Sequence, residues 1–408
     1  MSIGRIASRS LELVQTSSVT GDEQEAIDRV ALWLEPVADE IDQWVTPMAE
    51  LEADPAYPGR EMERDIVPVV GARIIGNRPG PTLVLNGHVD VVPVGDTELW
   101  SRNPSGEIEG DTLFGRGACD MKAGLVAAIE AFTDLASNRD FAGEVRLVAV
   151  PGEEDGGTGT LAAIRRGWTG DMVIIPEPTA DSSGLRIVVA HGGSLTFSID
   201  VLGRAAHAAT RLLGESAIDH FWKVYRVLRA QETRLNAAET DPIMTDLGLP
   251  YPTSVGVVRG GEWASSVMER LTAEVRVGVT INETTAEAEE RFERGLREAL
   301  AGDPWLDQHP LQITRTGAAF GSSRIDPEHP LVAAVKQAAT DVEGVTPPTV
   351  GAAYGCDMAL WVREAGADTL VFGPGDVSYA HAVDEFVSLR QVAVVSEVLV
   401  AAARRLLA

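Results

Sequence analysis

The chain is organised around Leu83-Val-Leu-Asn-Gly-His88-Val-Asp90-Val-Val92, followed after a Gly- and Pro-rich excursion by Gly115-Arg-Gly-Ala-Cys-Asp120-Met-Lys-Ala-Gly124. The apolar run predicts a β-strand that brings His88 and Asp90 to its carboxyl end. The glycine-rich turn brings Asp120 to the beginning of the next predicted helix. A histidine and two carboxylates placed in this way indicate the beginning of a metal site.

Strands and helices alternate on either side of this stretch. Apolar strands predicted at 82–86, 144–150 and 171–175 are separated by helices predicted at 122–135 and 160–166. The strands are continuously apolar, which suits a sheet covered on both faces, and helical crossovers imply that it is largely parallel. The predicted fold class is therefore α/β, a mostly parallel sheet covered by helices, with ligands expected beyond the carboxyl ends of its strands.

The pattern changes at Ser194 to the order β-α-β-β-α-β, which predicts a ferredoxin-like α+β unit. We place this inserted domain at residues 193–315 and assign residues 1–192 and 316–408 to the first domain. A length of 408 residues also favours two domains.

Charge and cysteine content exclude some functions. The formal charge of −27 argues against nucleic acid or an anionic membrane as partner, because both would be repelled. Two cysteines cannot form a disulfide framework, which favours a reducing compartment. We read no signal-peptide core or membrane-spanning run in the sequence and expect a cytoplasmic location.

The residues before the first metal-site motif suggest only structural roles. Thr20-Gly-Asp-Glu-Gln predicts an N-cap and an acidic first turn for a helix. The segment Thr46–Asp65 predicts an exposed loop before a strand at 66–75. Neither segment is assigned a function.

Three further motifs follow predicted strands or lie near the C-terminus. They are Pro151-Gly-Glu153-Glu154-Asp-Gly-Gly-Thr-Gly, Ile174-Ile-Pro-Glu177-Pro-Thr and Gly373-Pro-Gly-Asp-Val-Ser-Tyr-Ala-His381. Each part of the proposed site has a structural alternative when taken alone. These alternatives are a surface or core histidine beside a solvated aspartate for His88 and Asp90, a helix N-cap for Asp120, an acidic solvated loop for Glu153 and Glu154, and a plain turn for Glu177. Adjacent carboxylates repel one another, however, and a multivalent cation would turn that repulsion into attraction.

Taken together, these side chains form a more specific pattern than any one of them. Two histidines and several carboxylates at the strand ends of one sheet are a ligand set for two divalent ions. Such a paired site needs one carboxylate shared between the ions and a spare carboxylate to move protons. The neighbours Glu153 and Glu154 could divide these roles, one as base and one as ligand.

The ordered motifs resemble those of the dizinc family of acetylornithine deacetylase, succinyl-diaminopimelate desuccinylase, aminoacylase-1 and glutamate carboxypeptidase. The motifs are Gly87-His88-Val89-Asp90, the stretch around Asp120, Glu153-Glu154, Glu177-Pro-Thr and Ala380-His381-Ala-Val-Asp-Glu. The resemblance implies a zinc-peptidase-like fold with an inserted lid domain. It also implies two metal ions, with zinc expected and cobalt or manganese as alternatives. One ion would be held by His88, Asp120 and Glu177, and the other by Asp120, Glu154 and His381.

The resemblance also implies the reaction, which is hydrolysis of a small amide substrate. Asp90 would orient His88, and Glu153 would take the proton of the attacking water and pass it to the leaving amine. His207, in Gly203-Arg-Ala-Ala-His207-Ala-Ala, matches the family's lid histidine and would help to hold the oxyanion. In relatives the lid domain also forms a homodimer, and this histidine enters the partner subunit's site.

Two departures from the family pattern concern the substrate. Ser266-Val-Met-Glu stands where many relatives have Asn-Val-Ile-Pro, and Ala359 stands where several have an arginine that grips a substrate carboxylate. Because a bidentate arginine is a strong specificity device, its absence weakens the case for an ordinary N-acyl α-amino acid. Arg324 or Arg204 could substitute for it. Cys119 is interpreted as a small buried filler.

Three functions remain to be distinguished. The leading hypothesis is a zinc-dependent amidohydrolase that cleaves an N-acyl amino acid or a related small N-acyl compound. The second is a dipeptidase or a carboxypeptidase-like metallopeptidase. The third is a non-catalytic protein that binds a small molecule. This hypothesis would be favoured if predicted metal ligands were missing. The remaining histidines match no motif and are interpreted as structural.

Overall fold

A computed structural model describes residues 3–408, and the chain in it forms two units. The main unit comprises the chain up to Ala190, Arg324–Val350 and Cys356–Ala408. The inserted unit comprises His191–Ser323 and Gly351–Gly355. The sequence-based boundary at residue 315 is too early, because the strand placed there continues to Phe320.

The regular elements are as follows in chain order. The α-helices are α1 (Ile3–Gln15), α2 (Gln24–Leu34), α3 (Met48–Glu52), α4 (Ala123–Ser137), α5 (Thr158–Arg166), α6 (Ala217–Ala237), α7 (Pro242–Thr245), α8 (Thr285–Leu300), α9 (Pro330–Glu343), α10 (Met358–Ala365) and α11 (Leu389–Leu406). The β-strands are β1 (Glu40–Pro47), β2 (Ile66–Ile75), β3 (Arg78–His88), β4 (Glu107–Glu109), β5 (Thr112–Phe114), β6 (Ala142–Val150), β7 (Met172–Ile175), β8 (Ile187–His191), β9 (Gly193–Leu202), β10 (Ser254–Gly260), β11 (Arg270–Val279), β12 (Gln312–Phe320), β13 (Ser323–Arg324), β14 (Thr349–Ala352), β15 (Asp368–Val371) and β16 (Phe386–Ser388).

The large sheet has the order β1-β2-β6-β3-β7-β15-β8-β13, and β14 also pairs with β8. The four strands β6, β3, β7 and β15 run parallel, whereas β1 pairs antiparallel with β2, β2 with β6, and β8 with β15. Residues 83–88 of β3 are all buried, so both faces of the sheet are covered. The predicted α/β class with a mostly parallel, helix-covered sheet is confirmed.

The inserted unit is built on an antiparallel sheet of order β10-β11-β9-β12. Buried and half-buried residues alternate along β9, and its buried side chains pack against α6 and α8 in one apolar core. Within that core the rings of Phe197 and Phe292 lie 4.4 Å apart. This is the split β-α-β-β-α-β arrangement expected of a ferredoxin-like unit.

Within residues 3–408, every helix is too short or too polar to span a bilayer.

Candidate metal centre

Chain segments that follow the parallel strands provide most of the predicted site residues. His88 is the last residue of β3, and Glu177 lies two residues beyond β7. The acidic loop, residues 151–157, follows β6, and the His381 loop, residues 373–385, follows β15. Because parallel strands place their carboxyl ends at one edge of the sheet, these segments meet there.

His88 is held with one ring nitrogen facing a set of carboxylates. Its side chain is 1% exposed, and Nε2 lies 3.3 Å from Asp120 Oδ1 and 3.7 Å from Glu177 Oε1. Its Nδ1 lies 3.0 Å from the main-chain oxygen of Asp90. A carbonyl partner at Nδ1 assigns the proton of the neutral ring to that nitrogen, which leaves the Nε2 lone pair facing the carboxylates.

Asp120 connects two groups of side chains. Its Oδ1 faces His88, whereas its Oδ2 lies 3.5 Å from His381 Nε2, which is in turn 2.9 Å from Glu154 Oε1. Two sets of three residues each place their ligand atoms within 4.8 Å of one another: His88, Asp120 and Glu177, and Asp120, Glu154 and His381. The structure thus brings together all five predicted ligands in two groups that share Asp120.

The backbone at Asp120 is held by two residues to which the sequence analysis gave no role. The buried carboxylate of Glu385 accepts the N–H groups of Cys119, at 2.9 Å, and Asp120, at 3.0 Å. Arg116 donates to Glu385 at 2.6 Å and to the main-chain oxygen of His381 at 3.2 Å. The segment that carries Asp120 and the loop that carries His381 are therefore joined. Asp120 itself does not cap α4, whose N-cap position is Lys122.

Glu177 lies where the first turn of α4 comes close to the end of β7. A Cβ atom on Gly124 would lie 1.9 Å from the main-chain oxygen of Pro176, so the approach of α4 requires glycine there. The side chain of Glu177 is 7% exposed, and within residues 3–408 no hydrogen bond is donated to its Oε1.

Asp90 acts on the acidic loop as well as on His88. Its Oδ1 and Oδ2 accept the N–H groups of Glu153, at 3.2 Å, and Glu154, at 3.1 Å. The Asp90 carboxylate is 3.5 Å from His88 Nδ1, so the closer contact to that ring is the Asp90 main-chain oxygen. The prediction that Thr20 caps the second helix is wrong: α2 begins at Gln24, and the Thr20 hydroxyl donates to Asp90 Oδ2 at 3.3 Å.

The carboxyl groups at this edge of the sheet make ionisation of their neighbours less favourable. Burial and the neighbouring Glu177 raise the pKa of Glu153 well above its usual range, and burial and Asp120 do the same for Glu177. Hydrogen bonds to Asp120 and Glu154 raise the pKa of His381 to about 10. Such mutual repulsion among buried carboxylates is relieved by a bound cation.

The donor set fits divalent metal ions. It consists of two imidazole nitrogens and carboxylate oxygens, the ligands that zinc, manganese and cobalt accept. Glu177 Oε1 is a buried acceptor to which no donor in the described chain bonds, and a buried acceptor of this kind is costly unless a proton or a cation meets it. Glu153 belongs to neither group of three, although its Oε2 is 3.9 Å from His88 Nε2.

His207 lies in the inserted unit and is exposed. Its Nδ1 accepts the N–H of Ala209 at 3.1 Å, which assigns the proton of the neutral ring to Nε2 and makes that nitrogen a donor. A β-bridge joins His207 to Ser266, so the two lid positions singled out in the sequence are neighbours.

Ala359, which stands where several relatives have a substrate-binding arginine, and the two arginines that could substitute for it lie in different surroundings. Ala359 is buried in α10 of the main unit. Arg204, in the inserted unit, donates to the main-chain oxygen of Leu213 and lies 5.3 Å from the centre of the Trp305 ring. Arg324 is exposed in β13. Cys119 is fully buried and burial raises the pKa of its thiol, which fits its interpretation as a filler.

Comparison with known proteins identifies relatives over most of the chain. The family model described as "Peptidase family M20/M25/M40" matches residues 84–405. A Bacillus subtilis protein named N-formyl-4-amino-5-aminomethyl-2-methylpyrimidine deformylase is 28% identical over 333 residues, which cover 76% of each chain. A Staphylococcus epidermidis protein named "probable succinyl-diaminopimelate desuccinylase" is 29% identical over 333 residues, covering 75% of this chain and 79% of its own.

A solved structure has the same fold. The M20 family metallo-carboxypeptidase Sso-CP2 from Sulfolobus solfataricus superposes with a TM-score of 0.74 over 98% of both chains. At 20% sequence identity this likeness concerns the fold alone.

Proposed function

This chain belongs to peptidase family M20/M25/M40, which confirms the resemblance in its motifs, and we propose that it is a dinuclear amidohydrolase for small N-acyl compounds. Membership and relatives named as deformylase and desuccinylase make it a hydrolase of amide bonds. The proposal adds two zinc ions, named catalytic residues and an N-acyl amino acid or related small amide as substrate.

One observation carries the proposal more than any other. The two oxygens of Asp120 face two different histidines, His88 at 3.3 Å and His381 at 3.5 Å. A carboxylate placed in this way would be shared between two metal positions, and one more acid, Glu177 or Glu154, would complete each position. A binding protein without catalysis would not need the additional, non-ligating acid Glu153 beside this bridge.

The residues of the site then have distinct roles. When bound, the cations supply Lewis acidity to the substrate carbonyl and to the attacking water. Glu153 takes the proton of that water and returns it to the leaving amine, because its carboxylate lies beside His88 without belonging to either ligand group. The Nε2–H of His207 is the proposed donor to the oxyanion of the tetrahedral intermediate.

Hydrolysis and metal content test the proposal together. We expect the purified, zinc-loaded protein to bind two divalent ions per chain and to lose activity on chelation, with recovery on addition of zinc, cobalt or manganese. The substrate panel should contain N-formyl, N-acetyl and N-succinyl amines, each with and without an α-carboxylate, beside unblocked dipeptides. Turnover of N-acyl compounds above that of dipeptides is the expected result.

Other outcomes have clear meanings. Fewer than one bound ion per chain after zinc loading would exclude the dinuclear site. Preference for dipeptides would establish the peptidase alternative. Metal binding with no turnover of any amide in the panel would favour a non-catalytic protein.

We also propose that the inserted unit forms a homodimer. Its strand β10 lies at the edge of the sheet, with β11 as its only strand partner in the described chain. The unit exposes large apolar side chains, among them Leu212, Trp222, Val258 and Trp263. Open strand edges and exposed apolar side chains are common features of surfaces that pair with a second chain.

Mass measurement tests the dimer. We expect light scattering to give twice the chain mass of 43.4 kDa, and a charged residue at an exposed apolar position of β10, Val258→Asp, to shift the protein toward monomer. Leu32→Asp, which changes an apolar residue of similar exposure, 59% against 50% for Val258, on α2 of the main unit, is the matched control. A parent protein that remains at 43.4 kDa at micromolar concentration would exclude the dimer.

Subunit mixing tests whether His207 acts in the partner's site. In a mixture of inactive His207→Ala and Glu153→Ala proteins, a mixed dimer would contain one intact site if His207 acts across the interface. Random exchange should then restore about a quarter of the parent activity. If His207 acted within its own chain, each protomer would carry a defect and mixing would restore nothing.

A further inference from the structure

A buried arginine lies in the segment to which the sequence analysis assigned no function. Arg64 immediately precedes Asp65 and strand β2, and its side chain is only 1% exposed. Burying a guanidinium is costly unless carboxylates and hydrogen bonds compensate it. The groups that surround the Arg64 guanidinium therefore indicate the role of its buried charge.

Arg64 pairs with two buried carboxylates from distant parts of the chain. Nη2 donates to Glu23 Oε1 at 2.9 Å, and Nε lies 3.5 Å from Asp155 Oδ2. The side chains of Glu23 and Asp155 are 2% and 0% exposed. Glu23 directly precedes α2, whereas Asp155 belongs to the acidic loop, so one guanidinium joins these two segments.

The guanidinium also lies against the main chain of the acidic loop. Gly152 has φ +69°, and a Cβ atom there would lie 3.0 Å from Arg64 Nη1 and 3.3 Å from Cζ. Gly152 directly precedes Glu153. The Arg64 head group, together with the Thr158 hydroxyl, thus lies close to the backbone that precedes Glu153.

Both sides of the acidic loop are consequently held. On one side, Asp90 accepts the N–H groups of Glu153 and Glu154. On the other, Arg64 pairs with Asp155, whose Oδ1 accepts the N–H groups of Glu61 and Met62. The loop is clamped between the end of β3 and the segment that carries Arg64.

We propose that Arg64 is a positioning residue for Glu153 and Glu154, acting through its ion pair with Asp155 and its position beside Gly152 on the acidic loop. The inference rests on the proposed function, which gives Glu153 the proton transfer and Glu154 a metal. Within residues 3–408, the ion-pair partners of Arg64 are Glu23 and Asp155, and neither of them is a predicted metal ligand. Its effect is to keep the two carboxylates in the orientation in which Asp90 holds their N–H groups.

A purely stabilising ion pair makes a different prediction. Such a pair would alter the stability of the fold, but it would leave the kcat of the folded, metal-loaded protein unchanged. A positioning role alters kcat at similar KM, since the binding surface persists while the reacting groups are displaced.

Three variants separate these roles. Arg64→Met removes the charge at similar length, and Arg64→Lys keeps the charge with less contact. Glu23→Gln combined with Arg64→Met also removes the charge of Glu23, one of the two buried carboxylates that lose their arginine partner in the single variant. The matched control is Arg9→Met, because Arg9 also pairs, at 2.8 Å, with a carboxylate that is 0% exposed, Glu130 in the middle of α4.

The measurements are steady-state kinetics, metal content and hydrogen–deuterium exchange of peptides that span the acidic loop, all on the full-length zinc-loaded protein. We expect Arg64→Met to lower kcat about 10- to 100-fold, as loss of other residues that orient metal-site groups does. KM should change less than about threefold. Exchange at residues 153 and 154 should become faster, Arg64→Lys should be intermediate, and Arg9→Met should match the parent.

The outcomes decide between the two roles. A folded Arg64→Met protein, or a folded double variant, with kcat within about twofold of the parent and unchanged exchange would overturn the proposal. If Arg64→Met does not fold, reduced kcat in the double variant or in Arg64→Lys supports it. If the parent itself shows no amide hydrolysis, the proposed function has failed. The exchange measurement still tests whether Arg64 holds the loop.

Discussion

Replacement of Glu153 by alanine is expected to reduce kcat by roughly 10²- to 10⁴-fold, the range for loss of a general base. The side chain belongs to neither group of metal ligands, yet its carboxylate lies 3.9 Å from His88 Nε2, beside the proposed reaction centre. Metal content should therefore remain at two ions per chain while turnover is lost. Kinetics and metal analysis of the same preparation provide the test.

Two control variants define what this result means. Glu63→Ala removes a carboxylate that is 90% exposed and should behave like the parent. Glu154→Ala, the neighbouring acid, should lose metal as well as turnover because Glu154 contacts His381 at 2.9 Å. A Glu153→Ala protein that hydrolyses its substrate at the parent rate would remove Glu153 from the mechanism.

The strand ends were predictable because local sequence determines them. Buried parallel strands require continuous apolar runs, and a chemically active residue directly after such a run must lie at the carboxyl edge of the sheet. His88 and Glu177 follow β3 and β7 in this way. The inserted unit was recognisable for a similar reason, since the alternation along β9 reports a sheet with one covered face.

The groups that hold the site in place were not predictable from local sequence. Glu385 accepts the N–H of Asp120 across 265 positions of the chain, and Arg64 meets Glu23 across 41. Nothing in the residues next to Arg64 distinguishes it from a solvated arginine in a charged loop. Its burial depends on how β2 and the acidic loop pack, which is a tertiary property.

The polar edge strand β1 could not be predicted for a related reason. Strand β1 has the sequence Glu-Ile-Asp-Gln-Trp-Val-Thr-Pro, whose residues are exposed or half-buried, and within residues 3–408 its one neighbour in the sheet order is β2. A strand that covers little apolar surface lacks the hydrophobic pattern on which sequence reasoning depends. Thr20 illustrates the same limit on a smaller scale, because its hydroxyl bonds to Asp90 rather than to the helix that follows it.

Replacement of Asp120 by alanine is expected to disturb both metal positions at once. Its two carboxylate oxygens face His88 and His381, so the change removes one ligand from each group. Metal content should fall below one ion per chain, and activity should fall by more than the roughly 10- to 100-fold typical of residues that only orient ligands. Elemental analysis after dialysis against a weak chelator measures the loss.

Comparison with single-site variants makes this prediction specific to a bridge. Glu177→Ala and Glu154→Ala should each release one ion, because each acid belongs to only one group of ligands. Asp90→Ala should lower turnover about 10- to 100-fold while retaining both ions, since Asp90 acts on His88 and the acidic loop without being a ligand. If Asp120→Ala kept one tightly bound ion, as the two glutamate variants are expected to do, Asp120 would serve a single metal position and the dinuclear arrangement would need another bridge.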